Sequence, residues 1–280
     1  MGKQKAVYFI RHKNFSSEVF ESLKNKKLIA IDFGMSIDAS FENIEYESNA
    51  HKTAVRYFLD LNEKGGLVVA HYGNDQYVTV GDISRGTQIE PFMHFRMSLE
   101  YTPKKTLHFA DYPVLSTVWP QQGTMCIPRT PFFQEIVPAI IGNKPLKLER
   151  RLLHTKMLEQ LCVEYLYKAD LGDDKLDYCI LRPGKTAPVI DIAGVTCGGK
   201  KLYAQVKANK IGSVARNNFE EFVSESSLNI IFSADLSDET IFSGKKITCV
   251  NVDEVFNHFH ENKPQMLKDM IGINHDFLKS

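Results

Sequence analysis

No stretch of the chain is both long and apolar enough to span a bilayer, which takes ~20 such residues. The opening Met1-Gly2-Lys3-Gln4-Lys5 leads into only a short apolar run, Ala6 to Ile10, too brief for the core of a secretion signal. Cytoplasmic location and no membrane partner are the expectation. Cysteine is sparse and scattered. Cys126, Cys162, Cys179, Cys197 and Cys249 are odd in number and form no C-x-x-C pair, so neither a disulfide framework nor a structural zinc site is expected. An excess of charge of one sign is also lacking, with 34 basic against 34 acidic residues, which speaks against a nucleic-acid coat protein. A basic face within a neutral total remains compatible with a polyanion partner.

What is present is a core-forming composition, 43% hydrophobic and 24% charged, in a chain of 280 residues, a length that favours two domains. Gly142, Asn143 and Pro145 crowd together after Ala139-Ile140-Ile141, and a charged, helix-forming segment begins near Leu146. The expected domains are therefore 1–145 and 146–280.

The first part is rich in strand formers. Val7 to Ile10 and Leu28 to Phe33 read as buried strands, with a serine-capped helix over Ser16 to Leu23 between them. Ala54, Val55, Phe58 and Leu59 give His51 to Leu61 a helical spacing. Leu67 to Tyr72 and Tyr77 to Ile83, on either side of the Gly73-Asn74-Asp75 turn, read as an antiparallel pair. More short strands are expected between Thr106 and Arg129. The sum is an α+β unit, a small curved barrel with one or two helices.

The second part changes character. His154 to Leu166 is an amphipathic helix, followed by strands at Tyr178–Leu181, Pro188–Gly194 and Lys201–Lys207. A helix over 216–224, strands at Leu228–Ser233 and Lys246–Val252, and a helix over Asp253–His260 complete an α/β layer fold.

Strand alternation puts Gln205 and Lys207 on one face and Leu202, Ala204 and Val206 on the other. Asp191 sits on the preceding strand, opposite in face to Ile190 and Ile192. A three-residue loop, Cys197-Gly198-Gly199, pairs Thr196 with Lys200 and sets Asp191 against Gln205; a two-residue loop would set it against Val206, on the wrong face. With the odd loop, Asp191, Gln205 and Lys207 cluster on a solvated face. Such a cluster suits phosphodiester hydrolysis, in which a hard cation polarises the phosphate and lowers the pKa of water. Mg2+ or Mn2+ would take the Asp191 carboxylate, the Gln205 amide oxygen and the Val206 carbonyl, with Lys207 orienting water or offsetting charge. The plainer alternative is a solvated strand end with an aspartate capping a turn.

The run Pro188-Val189-Ile190-Asp191 … Gln205-Val206-Lys207 resembles the D…(E/Q)-x-K motif of the PD-(D/E)XK nucleases, and its glutamine is typical of the Mrr-like branch. Leu158 to Leu166 resembles that branch's opening helix, whose early glutamate helps to hold the metal; by position this implies Glu159, with Glu164 or Asp177 as reserves. The resemblance covers about residues 150 to 262. It implies a restriction-endonuclease-like mixed sheet flanked by helices, and a Mg2+-dependent endodeoxyribonuclease acting on double-stranded DNA. Cutting both strands further implies a homodimer.

Leu67–Tyr72 with Tyr77–Ile83 is similar to the PUA-like superfamily, including EVE-type domains. That resemblance covers about residues 5 to 135 and implies a pocket for a flipped base, possibly modified, held by stacking and edge hydrogen bonds. Trp119, the sole tryptophan, and Tyr72, Phe33 and Tyr77 are the aromatic candidates, against the alternative that they are core. The reading is a two-domain endonuclease of restriction or antiviral defence whose first domain selects the target. The alternatives are a nucleic-acid-binding reader on an inactive nuclease fold, and a nuclease switched on by a small nucleotide.

Overall fold

The computed structural model describes residues 5–32, 48–112, 124–128, 132–153, 155–169, 171–180, 189–235, 238–242, 245–271 and 278–279. The chain divides into two compact units, Met1–Lys147 with Gly272–Lys279, and Leu148–Ile271. Among the described residues no helix is long and apolar enough to cross a membrane.

In the first unit the order is β1 (Val7–His12), α1 (Ser17–Asn25), β2 (Leu28–Ile31), α2 (Asn49–Lys64), β3 (Gly66–Tyr72) and β4 (Tyr77–Ile83). Then come β5 (Glu90–Phe92), β6 (Phe95–Glu100), β7 (Thr102–His108), β8 (Met125–Cys126), α3 (Val137–Gly142) and β9 (Leu146–Lys147). Five strands form one sheet in the order β7-β4-β3-β1-β8, and three form another, β2-β6-β5. The β3–β4 pair is antiparallel, whereas β1 lies parallel to β3. A parallel pair needs a long crossover, here supplied by α1, β2 and α2.

Ser16 caps α1 through its hydroxyl to the Val19 N–H, and Ser48 caps α2 through His51. The core gathers Tyr8, Ile10, Val68 and Ala70 of the large sheet with Val55, Phe58 and Leu61 of α2 and Ile29 and Leu99 of the small sheet. The strands β5 and β6 carry no clear alternation in the sequence and emerge only through their pairing with each other and with β2.

The second unit runs α4 (Thr155–Lys168), β10 (Leu176–Cys179), β11 (Ile192–Thr196), β12 (Lys201–Val206), α5 (Ser213–Phe222) and β13 (Leu228–Ser233). It continues with β14 (Asp238–Phe242), β15 (Lys245–Asn251), α6 (Val252–Asn262) and α7 (Pro264–Ile271). One mixed sheet orders these strands β10-β11-β12-β13-β15-β14. The neighbours β10, β11 and β12 are antiparallel, while β12, β13 and β15 run parallel.

Helices cover both faces of this sheet. Phe219 of α5 and Val223, which ends that helix, pack with Tyr203, Ile231, Ile247 and Cys249. On the other face Tyr165 of α4 meets Phe232 edge-on, ring centres 6.4 Å apart. Asn143 ends α3 in the left-handed conformation ahead of Pro145, and the chain leaves the first unit a few residues later, after Lys147. A final strand, β16 (Leu278–Lys279), pairs in parallel with β9, so this piece of the expected second domain joins the first unit.

Candidate active site

The hairpin that carries the motif is set by its loop. Thr196 N–H bonds the Lys200 carbonyl at 2.9 Å, Gly199 N–H bonds the Thr196 carbonyl at 2.8 Å, and Gly199 has φ of 77°. Cys197-Gly198-Gly199 is thus a three-residue loop with its left-handed residue at glycine, where no Cβ is strained. The register that results pairs Val195 with Lys201, Gly194 with Leu202, Ala193 with Tyr203 and Ile192 with Ala204. Continued by one step, it sets Asp191 against Gln205.

At that step the ladder changes form. The Asp191 N–H bonds the carbonyl of Ala204, whose partner in the ladder is Ile192, at 3.0 Å. Two residues of one strand meeting one of the other is the arrangement of a β-bulge. The Asp191 carboxylate then accepts the Val206 N–H through Oδ2 at 2.7 Å, taking the place a backbone carbonyl would have held. The strand expected from Pro188 accordingly begins at Ile192, and Val189 and Ile190 pack against the cluster of Phe219, Val223 and Ile231.

Lys207 Nζ lies 3.9 Å from the same Asp191 oxygen. Glu159 of α4 belongs to this electrostatic neighbourhood. Burial pushes its carboxyl above the ordinary range, the Asp191 charge pushes it further, and Lys207 and Lys156 oppose the rise. Cys162, one helical turn on, is buried; burial is the main cause that raises its thiol to a value too high for reactivity at neutral pH. Glu164 is engaged elsewhere, paired with Lys168 and accepting from Gln160. Asp174 pairs with Lys200 at 3.3 Å, and Asp177 is exposed on β10.

Gln205 departs from the expected solvated face, being only 2% exposed. The reason is tertiary. Gln205 pairs in register with Ile231, and that face is roofed by Phe219 and Val223. Its Oε1 is buried, and among the described residues none donates a hydrogen bond to it. Glu159 comes from α4, which packs over the opposite face with Phe232, the register partner of Val206. A hydrogen bond and an ion pair join Asp191, Val206 and Lys207 at the end of the sheet, Glu159 is coupled to Asp191 and Lys207 through charge, and Gln205 lies on the other face. Val206 takes part through its N–H. Among the described residues no three or more His, Cys, Asp or Glu side chains gather as a metal site.

In the first unit Tyr72 is 1% exposed, its hydroxyl donates to the Leu28 carbonyl at 2.8 Å, and its ring stacks on His12 at 4.7 Å. A ring so engaged has no free face for a base. Tyr77 is half-buried, with Lys24 Nζ 5.8 Å from its ring centre. Phe33 and Trp119 lie outside the described residues. A cavity of about 400 Å³ opens at the end of β1, lined among others by Arg11, Lys13, Phe15, Asp32 and Phe95.

No family model, curated protein or solved structure matches the chain.

Proposed function

We propose that the second unit is a metal-dependent endodeoxyribonuclease of the Mrr-like branch of the PD-(D/E)XK nucleases, acting on double-stranded DNA, with target selection by a PUA-like first unit. The observation that carries this reading is the Asp191 carboxylate, fixed by the Val206 N–H with the Lys207 ammonium beside it. Its support is the element order around that pair, a helix, three antiparallel strands, a helix and a parallel strand, which is the order the sequence resemblance implies.

The donor set suits Mg2+ or Mn2+, which needs only one or two carboxylates and keeps several waters. Asp191 and Glu159 would hold it, and the undonated Gln205 Oε1 is an oxygen in want of an electropositive partner. When bound, such an ion polarises the scissile phosphate and acidifies water. Lys207 offsets the charge that builds on the phosphoryl oxygens, and Val206 keeps Asp191 from rotating away. The Glu159 carboxyl is raised first by burial and then by the Asp191 charge, and a bound cation would ease both. Restriction of foreign or modified DNA by a homodimer is the role this chemistry serves. The cavity beside Phe15 and Phe95 is the place in the first unit where a flipped, modified base fits the reading.

The test is cleavage of methylated, hydroxymethylated and unmodified plasmids with Mg2+, Mn2+ or chelator, with Asp191→Ala as control. Metal-dependent cutting that Asp191→Ala abolishes is expected. Binding without cutting under every condition would favour a second reading, a nucleic-acid reader on an inactive fold. The placement of Gln205 on the face opposite α4 favours that alternative. Cutting that appears only when nucleotides are added would instead mark a switched effector.

A further inference from the structure

Arg150 lies far ahead of the motif in sequence, before α4, yet its side chain ends beside the motif's last residue. Its Nη1 donates to the carbonyl of Ala208, the residue after Lys207, at 2.7 Å. Its Nε donates to the Asp253 carboxylate. Asp253 is itself fixed at the start of α6, where its N–H bonds the side chain of the capping residue Asn251 at 2.8 Å. A carboxylate in the first turn of a helix is favoured by the helix dipole.

We infer that Arg150 is a positioning residue for Lys207. The Lys207 N–H is held by the Phe232 carbonyl at 2.8 Å, the last rung before the chain leaves the sheet. Beyond it the path is tied at three successive places. Arg150 holds the Ala208 carbonyl, the Ser233 hydroxyl donates to the Asn209 carbonyl at 3.3 Å, and the Ile211 N–H donates to Asp235 at 3.3 Å. A lysine ammonium on a four-carbon stem finds one position only if its backbone is fixed on both sides of the residue. The rung from Phe232 fixes the side before; Arg150 fixes the side after. The guanidinium suits this task because its planar fork joins two acceptors at a set angle, the helix-bound carboxylate and the strand-end carbonyl.

This inference rests on the nuclease reading for its effect on turnover, and stands apart from it for its effect on the backbone. Arg150→Ala is expected to lower kcat by between about tenfold and a hundredfold with KM for DNA unchanged. Arg150→Lys, which can satisfy one of the two acceptors, is expected to recover part of the loss. Amide exchange at Ala208 and Asn209 in the full-length protein should quicken at least tenfold in Arg150→Ala and far less in Arg150→Lys. Normal kcat in Arg150→Ala, or a loss confined to KM, would overturn the positioning role. Should the alanine variant fail to fold, Asp253→Asn, which weakens the hold on the guanidinium, must show the same kcat and exchange changes in smaller measure. If the wild type cuts no DNA, the nuclease reading fails, and unchanged exchange in the variants would overturn the clamp as well.

Discussion

Asp191 accepts the Val206 N–H at 2.7 Å across the open end of the β11–β12 hairpin, so the same carboxylate oxygen closes the sheet and faces Lys207. Its removal should therefore cost stability as well as activity. Asp191→Ala leaves a strand-end N–H without its acceptor, a loss of about 1–3 kcal/mol. Asp191→Asn retains an acceptor and should melt near the wild type while cutting no DNA. Thermal unfolding beside a plasmid assay separates the two effects. Equal stability of the two variants would mean that the Val206 bond adds nothing to the fold.

Gln205 combines burial with an undonated oxygen. Gln205→Leu should be inactive yet no less stable, because it removes an unsatisfied polar atom from beneath α5. Gln205→Glu should cut DNA with tighter dependence on Mg2+ or Mn2+, since a carboxylate is the better hard ligand. Without metal it should melt below the wild type, because a buried charge is unfavourable there, and metal should restore it. Full activity in both variants would remove Gln205 from the site.

The loop length sets the register on which the site depends. Gly199→Val opposes the left-handed φ of 77° that the three-residue loop needs, and a slip that pairs Cys197 with Lys200 brings Asp191 opposite Val206 and moves each side chain of β11 across the sheet. Cleavage should disappear, and amide protection along β11 and β12 should fall. Normal cutting by Gly199→Val would show that Asp191 does not depend on this register.

His12 offers a pH test in the first unit. It is buried, with Nε2 accepting the Ala30 N–H at 3.0 Å and Nδ1 facing the His71 carbonyl at 3.2 Å. Burial lowers its pKa from 6.5 to about 4, against the smaller upward pull of the His71 carbonyl. The depressed value means that the unfolded chain binds the proton first. Stability is thus complete above pH 6.5 and is lost as pH falls toward 4, by about 3 kcal/mol in all. His71, lowered chiefly by burial, acts in the same direction. Amide exchange in β1 and β3 between pH 7 and pH 4 reads the loss. His12→Gln should flatten the slope by one proton, and an unaltered slope would assign the acid sensitivity elsewhere.

The sequence by itself determined what short-range chemistry can determine. The glycine pair and the alternating residues on either side of it narrow the connection to two or three residues, and the three-residue loop that forms dictates the register from Val195–Lys201 to Ile192–Ala204. Helix caps at Ser16 and Ser48 and the break near Asn143 depend on neighbouring residues, and the elements they bound are found within a few residues of where periodicity puts them. Tertiary structure decided the rest. Whether Gln205 is solvated depends on α5 lying over its face, which no pattern within 201–207 encodes. The departure at Asp191 arises because its side chain competes with a backbone carbonyl for one N–H, a contest visible only once both strands are side by side. Arg150 carries no local signal at all: its two partners are 58 and 103 residues away, and only the folded sheet and helix bring them to the same guanidinium.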